Sequence, residues 1–349
     1  MDKPKNKNTM IRDRFFIVIA ILFLMTWQCR TVAQIKGNEI TVMVSPDHDD
    51  WNYGLGEKCE FTVSVYKAQN LLRDVVIDYE LGPVMYADVK KENVRLKDGT
   101  CRLTGRMDKP GYYRCKVRAH SGGRTYEGLA TVAFAPEKIE AAAQMPTDFK
   151  AYWERNISQA RQTPLDSRMR LLPERCTDNS TSFYYRRVVL GVIRAIDFID
   201  QLPQYNHKAL GVTGSSQGGA LSIMAARLDS RVTCYAAVHP ALCDHEAFLK
   251  GRAGGWPHYY YYDTKPSDKT IENIRHYDVV NFARCITVPG WFSWGYNDEV
   301  CPPTSMQAAY NAVKAPNEFK PYLQTGHYWY QEQWDEWCEW IWNKLGIYE

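Results

Sequence analysis

Between residues 39 and 135, apolar and polar side chains alternate in short runs: EITVMVS, CEFTVSVY, RDVVIDYEL, CRLTG, YYRCKVRA and GLATVAFA. A period of two puts every second side chain on one face, the pattern of strands buried on one side. Turn-rich stretches such as GLGEK, KDGT and MDKPG separate the runs. Strands at this spacing predict a two-sheet sandwich over 36–135. Tyr113 lies two residues before Cys115, the spacing of a tyrosine corner in immunoglobulin-like domains. Cys59, on an early strand, could bridge to Cys115, or the two could be separately buried thiols. No Trp lies between them, so this is not a standard immunoglobulin pattern.

After a linker, 136–146, the period lengthens. DFKAYWERNISQARQ reads as a helix with Thr147 or Asp148 as its N-cap. In VVLGVIRAIDFI the apolar residues fall at 189, 192, 193, 196 and 199, which is helical spacing. Then strands and helices alternate: HKALGVTG, a strand; QGGALSIMAARL, a helix; CYAAVHP and CITVPGWFSWG, strands; TSMQAAYNAV, a helix; EFKPYLQ, a strand; and WDEWCEWIWNKLG, a last helix. This alternation predicts a mostly parallel sheet covered on both faces over 147–349.

The N-terminus changes the picture of compartment and charge. Lys3, Lys5, Lys7, Arg12 and Arg14 precede the apolar run Phe15–Trp27. That run is shorter than the roughly twenty residues a spanning helix needs. A basic start, a short apolar middle and the small-residue end TVAQ describe a signal peptide over 1–34, and so a secreted or periplasmic protein. This segment carries six Lys/Arg and two Asp, so the net charge of +3 falls to about −1 without it. No basic patch is left to argue for nucleic acid. Export permits disulfides. Nine of the ten cysteines follow the leader, an odd number, and none is spaced CxxC. Cys243-Asp244-His245-Glu246 gathers metal-ligand types, but adjacent residues cannot all face one ion, so no metal is expected.

The candidate chemistry sits at Gly214-Ser215-Ser216-Gln217-Gly218, between a strand and a helix. That context is what a nucleophile elbow requires: glycines allow a sharp turn that lifts the Ser216 hydroxyl above the sheet. The helix N-terminus places the N–H of Gln217 where an oxyanion would form. A neutral serine needs a base, and the base needs an orienting acid. In this architecture the order is Ser, acid, His. Asp298, in GYNDEVCPP, follows a late strand, and Asp244, at the end of the strand 234–239, is the rival acid. His327, in QTGHYW, follows the final strand.

The stretches FYYRRVVLGVIRAIDF, GSSQGG, HPALCDH, HYDVVNFA, VPGWFSWGYNDEVCPPTSMQAAYN and the GH of TGHYW resemble the acetyl xylan esterase/cephalosporin C deacetylase family, carbohydrate esterase family 7. The resemblance implies an α/β-hydrolase fold behind the immunoglobulin-like sandwich. It implies Ser216 as nucleophile, Asp298 as acid and His327 as base, and removal of acetyl or similar groups from sugars or related esters. It implies no cofactor and leaves a homo-oligomer open, since some members form hexameric rings. Two departures stand out. Tyr328 follows the base His where such proteins have Glu. Between Arg175 and Phe183 stands only CTDNSTS, where the family carries a long segment. That segment holds the first strands of the sheet, a glycine-containing loop with a Tyr and an Arg-Gly-Gln motif. The expected domain is therefore incomplete, missing its first strands and its second oxyanion donor. Two rival readings follow: a catalytically impaired deletion form, or a carbohydrate-binding protein using aromatics such as Trp256 and Tyr259–Tyr262.

Overall fold

Nine strands come first in the computed structural model, which describes residues 38–165 and 183–347. The leader expected over 1–34 and the junction CTDNSTS lie outside the described residues. The strands are β1 (Ile40–Pro46), β2 (Asn52–Tyr53), β3 (Lys58–Lys67), β4 (Asn70–Leu71), β5 (Val75–Pro83), β6 (Val89–Leu96), β7 (Thr100–Arg106), β8 (Gly111–Ser121) and β9 (Arg124–Phe134). In one sheet β3 pairs antiparallel with β1, β4 and β7. The other runs β2-β9-β8-β5-β6. Alternate residues of both sheets (Val42, Phe61 and Val63; Ile77, Cys115 and Val132) meet in a shared apolar cluster. This is the inward set that a period of two selects.

Tyr113 seals the join between the sheets. Its ring lies so close to β7 that a Cβ on Gly105 would sit 2.3 Å from it. Cys59 and Cys115 are both free and buried, so of the two sequence readings the structure has the separate thiols. The sequence reading lacks the two-residue strands β2 and β4 and one long strand, β6, VKKENVRL. This long strand lies at a sheet edge, paired only with β5, and all but its last residue are exposed or half-buried, so it shows little apolar alternation.

The second region contains α1 (Phe149–Arg161), α2 (Tyr184–Ile199), β10 (Gly211–Ser215), α3 (Gln217–Leu228), β11 (Cys234–Val238), α4 (Tyr259–Tyr262), α5 (Asp268–Arg275), α6 (Val279–Ala283), β12 (Gly290–Trp294), α7 (Pro303–Ala312), β13 (Asn317–Pro321) and α8 (Gln331–Leu345). Among the described residues its four strands are all parallel, in the order β10-β11-β12-β13. β11 and β12, CYAAV and GWFSW, are buried throughout, as strands covered on both faces must be. On one face Cys234, Ala236 and Trp291 meet Trp337, Trp340 and Ile341 of α8. On the other, Tyr235, Ala237 and Phe292 share a cluster with Ala220, Ile223 and Met224 of α3. Asp148 stands at the N-cap position of α1, but its side chain makes no cap bond and instead meets His276 Nε2 at 2.7 Å.

Among the described residues β10 is an edge strand, paired only with β11. The sequence reading expects strands on its far side, or buried unpaired backbone groups in their absence. The five residues of β10 are instead half-buried or exposed. A strand with this exposure pays less than the full penalty that dry orphaned groups would carry.

Candidate active site

Ser216 sits between β10 and α3 at φ 58° and ψ −119°. A non-glycine residue held at positive φ costs about 1–3 kcal/mol and persists only where its surroundings over-determine it. Here the Ser216 N–H donates to the Val238 carbonyl at 2.9 Å, and its own carbonyl accepts from Ala220 N (3.1 Å) and Ala241 N (3.0 Å). The turn closes tightly: a Cβ on Gly214 would lie 2.5 Å from the Gly218 carbonyl carbon. Gln217 is the first residue of α3, so its N–H has no acceptor within the helix.

The structure brings Ser216, His327 and Asp298 together. His327 Nε2 lies 3.0 Å from Ser216 Oγ, and His327 Nδ1 lies 2.8 Å from Asp298 Oδ2. Asp298 follows β12 and is fully buried. Its second oxygen, Oδ1, accepts from Val300 N and Cys301 N, both at 2.8 Å. Both carboxylate oxygens are thus engaged, which fixes the plane of the group. The loops bearing Asp298 and His327 press together backbone to backbone. A Cβ on Gly295 would lie 1.9 Å from the Thr325 carbonyl oxygen, and Asn297 N donates to that same oxygen at 3.1 Å.

Asp244, the rival acid, is placed elsewhere. It is fully buried, and its Oδ1 accepts from Ala142 N (2.6 Å) and Ala143 N (2.9 Å), while Oδ2 pairs with Arg252. Asp244 therefore holds the linker. Its neighbours diverge as adjacent residues must: the Cys243 thiol turns to the Pro240 and Ala241 carbonyls, and Glu246 pairs with Arg275. Of the aromatics proposed for sugar contact, Tyr260 is buried, while Tyr261 and Tyr262 are exposed. Trp256 packs against the main core.

Two residues near the site have no part in the sequence reading. His239, at the end of β11, is 1% exposed and places Nε2 2.7 Å from Ser215 Oγ, with its ring 4.5 Å from that of His327. Burial, and then the proximity of His327, pushes its pKa from 6.5 down to about 4, so it is a neutral neighbour of His327. Its position after the strand next to the elbow strand was the available signal. The other is Arg114 of β8, whose Nη2 donates to the Asp298 carbonyl at 2.9 Å. An arginine in an alternating strand carries no mark of a partner 184 residues away.

A protein-family model described as acetyl xylan esterase matches residues 172–344. The acetyl esterase Axe7A of Xylanibacter ruminicola is 30% identical over 412 residues, covering 90% of this chain and 92% of the relative. That alignment is longer than this 349-residue chain, so the relative carries residues that this one lacks. Acetyl xylan esterase 1 from Thermoanaerobacterium sp. JW/SL YS485 has a similar fold, with a TM-score of 0.51 at 17% identity, over 61% of this chain and 98% of that one. With the relative matched nearly end to end, the chain belongs to the acetyl xylan esterase family of carboxylic ester hydrolases.

Proposed function

We propose that this chain removes acetyl or similarly small acyl groups from sugars or related alcohols, with Ser216, His327 and Asp298 as its catalytic residues. The observation that carries the reading is the unbroken line of two hydrogen bonds, 3.0 and 2.8 Å, from Ser216 Oγ to the buried Asp298 carboxylate. Ser216 Oγ attacks the ester carbonyl carbon as His327 Nε2 takes its proton. Asp298 keeps the remaining proton on Nδ1 and stabilises the imidazolium. The Gln217 N–H donates to the oxyanion. Collapse of the tetrahedral intermediate expels the alcohol, which takes the proton from His327. Water, activated by the same imidazole, then releases the carboxylate and restores Ser216. The relative named as an acetyl esterase supports acetate as the acyl group. The leader-like N-terminus supports secretion, and the two packed sheets with Tyr113 between them support an immunoglobulin-like sandwich.

The edge position of β10 and the longer relative favour slow turnover. The sequence leads to the expectation of one oxyanion donor in place of two, which would lower the rate by roughly 10²–10³. The test is hydrolysis of p-nitrophenyl acetate by the full chain. Ser216→Ala should lower kcat by about 10⁶ if the triad acts as a unit. Equal turnover by wild type and Ser216→Ala would overturn the reading.

A further inference from the structure

Four consecutive residues of the acid loop are each bonded to the nine-stranded region. Tyr296 Oη donates to Asn52 Oδ1 at 3.3 Å, and Asn297 Nδ2 donates to the Leu129 carbonyl at 3.4 Å. Arg114 Nη2 donates to the Asp298 carbonyl at 2.9 Å. Glu299 Oε1 meets Lys116 Nζ at 3.0 Å and Arg114 Nη1 at 3.4 Å. One step further on, Tyr112 Oη donates to Gln307 Oε1 on α7 at 2.9 Å. Arg114 is the centre of this set. Its side chain is only 11% exposed, and its Nε donates to Thr131 Oγ1 at 2.8 Å, so the guanidinium plane is held on its own sheet before it reaches the loop. A planar fork fixed on one side and bonded on the other transmits position in a way a flexible lysine would not.

We infer that the nine-stranded region is part of the active site, with Arg114 a positioning residue that sets the backbone of Asp298 and through it the angle of the Asp298–His327 hydrogen bond. A binding module tethered by a linker would have no use for a buried guanidinium committed to a carbonyl in the other region. The backbone of Asp298 is held from the front by Arg114, while its carboxylate is held from behind by Val300 N and Cys301 N. Val300 and Cys301 belong to the same loop, so the carboxylate moves with that loop, and Arg114 fixes the carboxylate by fixing the loop's backbone. Misplacements of about 1 Å in such a group cost up to about a hundredfold in rate.

The inference rests on the acyl-transfer reading above, and the experiment separates the two. In p-nitrophenyl acetate hydrolysis by the full chain, Arg114→Met should lower kcat by about ten- to a hundredfold with KM unchanged. Arg114→Lys, whose flexible ammonium cannot bond Thr131 and the Asp298 carbonyl as one rigid fork, should recover little of that loss. Arg118→Met is the control: it removes ion pairs to Glu80 and Glu127 from the same strand and touches no part of the acid loop. It should leave kcat unchanged. A second readout needs no turnover. The downfield proton resonance of His327 Nδ1–H reports the bond to Asp298, and it should shift or vanish in Arg114→Met while persisting in Arg118→Met. Wild-type kcat, or where wild type is inactive an unshifted resonance, in Arg114→Met overturns the inference. So does an equal loss in Arg118→Met, which would mark general destabilisation. If Arg114→Met does not fold, Arg114→Lys carries the test: a reduced kcat or shifted resonance at an unchanged melting temperature supports the inference, and wild-type values of both overturn it. A wild type without turnover whose resonance still responds to Arg114→Met sinks the esterase reading and leaves the positioning role standing.

Discussion

On the acid side of the site, β12 has a strand on each flank, Asp298 is fully buried, and its loop is bonded residue by residue to the sheets in front of it. On the nucleophile side, Ser216 rides on β10, an edge strand among the described residues and half-buried or exposed along its length. The same three side chains span both. A Ser-His-Asp line therefore needs little of the sheet: the ends of two strands, the elbow and two abutting loops hold it. The proposed oxyanion donor, Gln217 N–H, lies on the other half, where β10 has no outer neighbour among the described residues.

Damage to the well-built side should produce the largest effect. In Asp298→Asn, the amide oxygen can take the place of Oδ1 and keep the bonds from Val300 N and Cys301 N. The amide NH₂ then faces His327 Nδ1 and forces the proton onto Nε2, where it blocks acceptance from Ser216. The expected loss in kcat is about 10⁴ with KM and melting temperature nearly unchanged. A loss of less than about tenfold would mean that the acid side does not orient the base as argued.

Repair of the poorly built side comes next in size. Grafting into Cys176–Ser182 the long segment that the family resemblance places there should supply a second oxyanion donor and a neighbour for β10. The gain in kcat on p-nitrophenyl acetate should be roughly 10²–10³, the worth of one such donor. Urea unfolding should confirm that the graft folds. A folded graft with no gain would show that the open edge of β10 is not what limits this chain, and would remove the contrast between the two sides.

Much of this contrast could be read in the sequence, and the limits are physical. Strands with one buried face announce themselves by alternation, and GWFSW by its apolar run. The elbow was legible because Gly214, Ser216 and Gly218 meet a steric requirement that is local. Asp298 and His327 were legible from chain order and loop position. Asp244 met the same criteria, and only the fold shows its carboxylate turned to Ala142 and Ala143. β6 escaped because an edge strand can be polar on both faces. The role of Arg114 was invisible because a guanidinium's partner is set by how two regions dock, and no local pattern encodes docking. The edge position of β10 was foreshadowed by what the chain lacks before Phe183. Its consequence was overestimated, since the reading assumed a dry strand.

The smallest effect concerns a residue on the seam between the two sides. His239 packs against Ser215 from β10 and against His327 from the acid side. Its pKa falls from 6.5 to about 4 because burial opposes the charged form. The unfolded chain therefore binds a proton near pH 6.5 that the folded chain refuses until about pH 4. Stability contributed by the neutral ring is present at neutral pH and is lost as pH falls through that window. Between pH 6.5 and 5 the loss amounts to ~1.5 kcal/mol by linkage. Other groups titrate too: His245, pushed down to about 3, acts in the same direction, and Asp278, pushed up to about 7, acts in the opposite one. The comparison with His239→Gln cancels them, since glutamine does not titrate and can still bond Ser215. In urea unfolding at the two pH values, wild type should lose ~1.5 kcal/mol relative to His239→Gln on acidification. Parallel pH profiles for the two proteins would mean that the ring is solvated and charges freely. The seam between the open and closed sides would then be wetter than its 1% exposure implies.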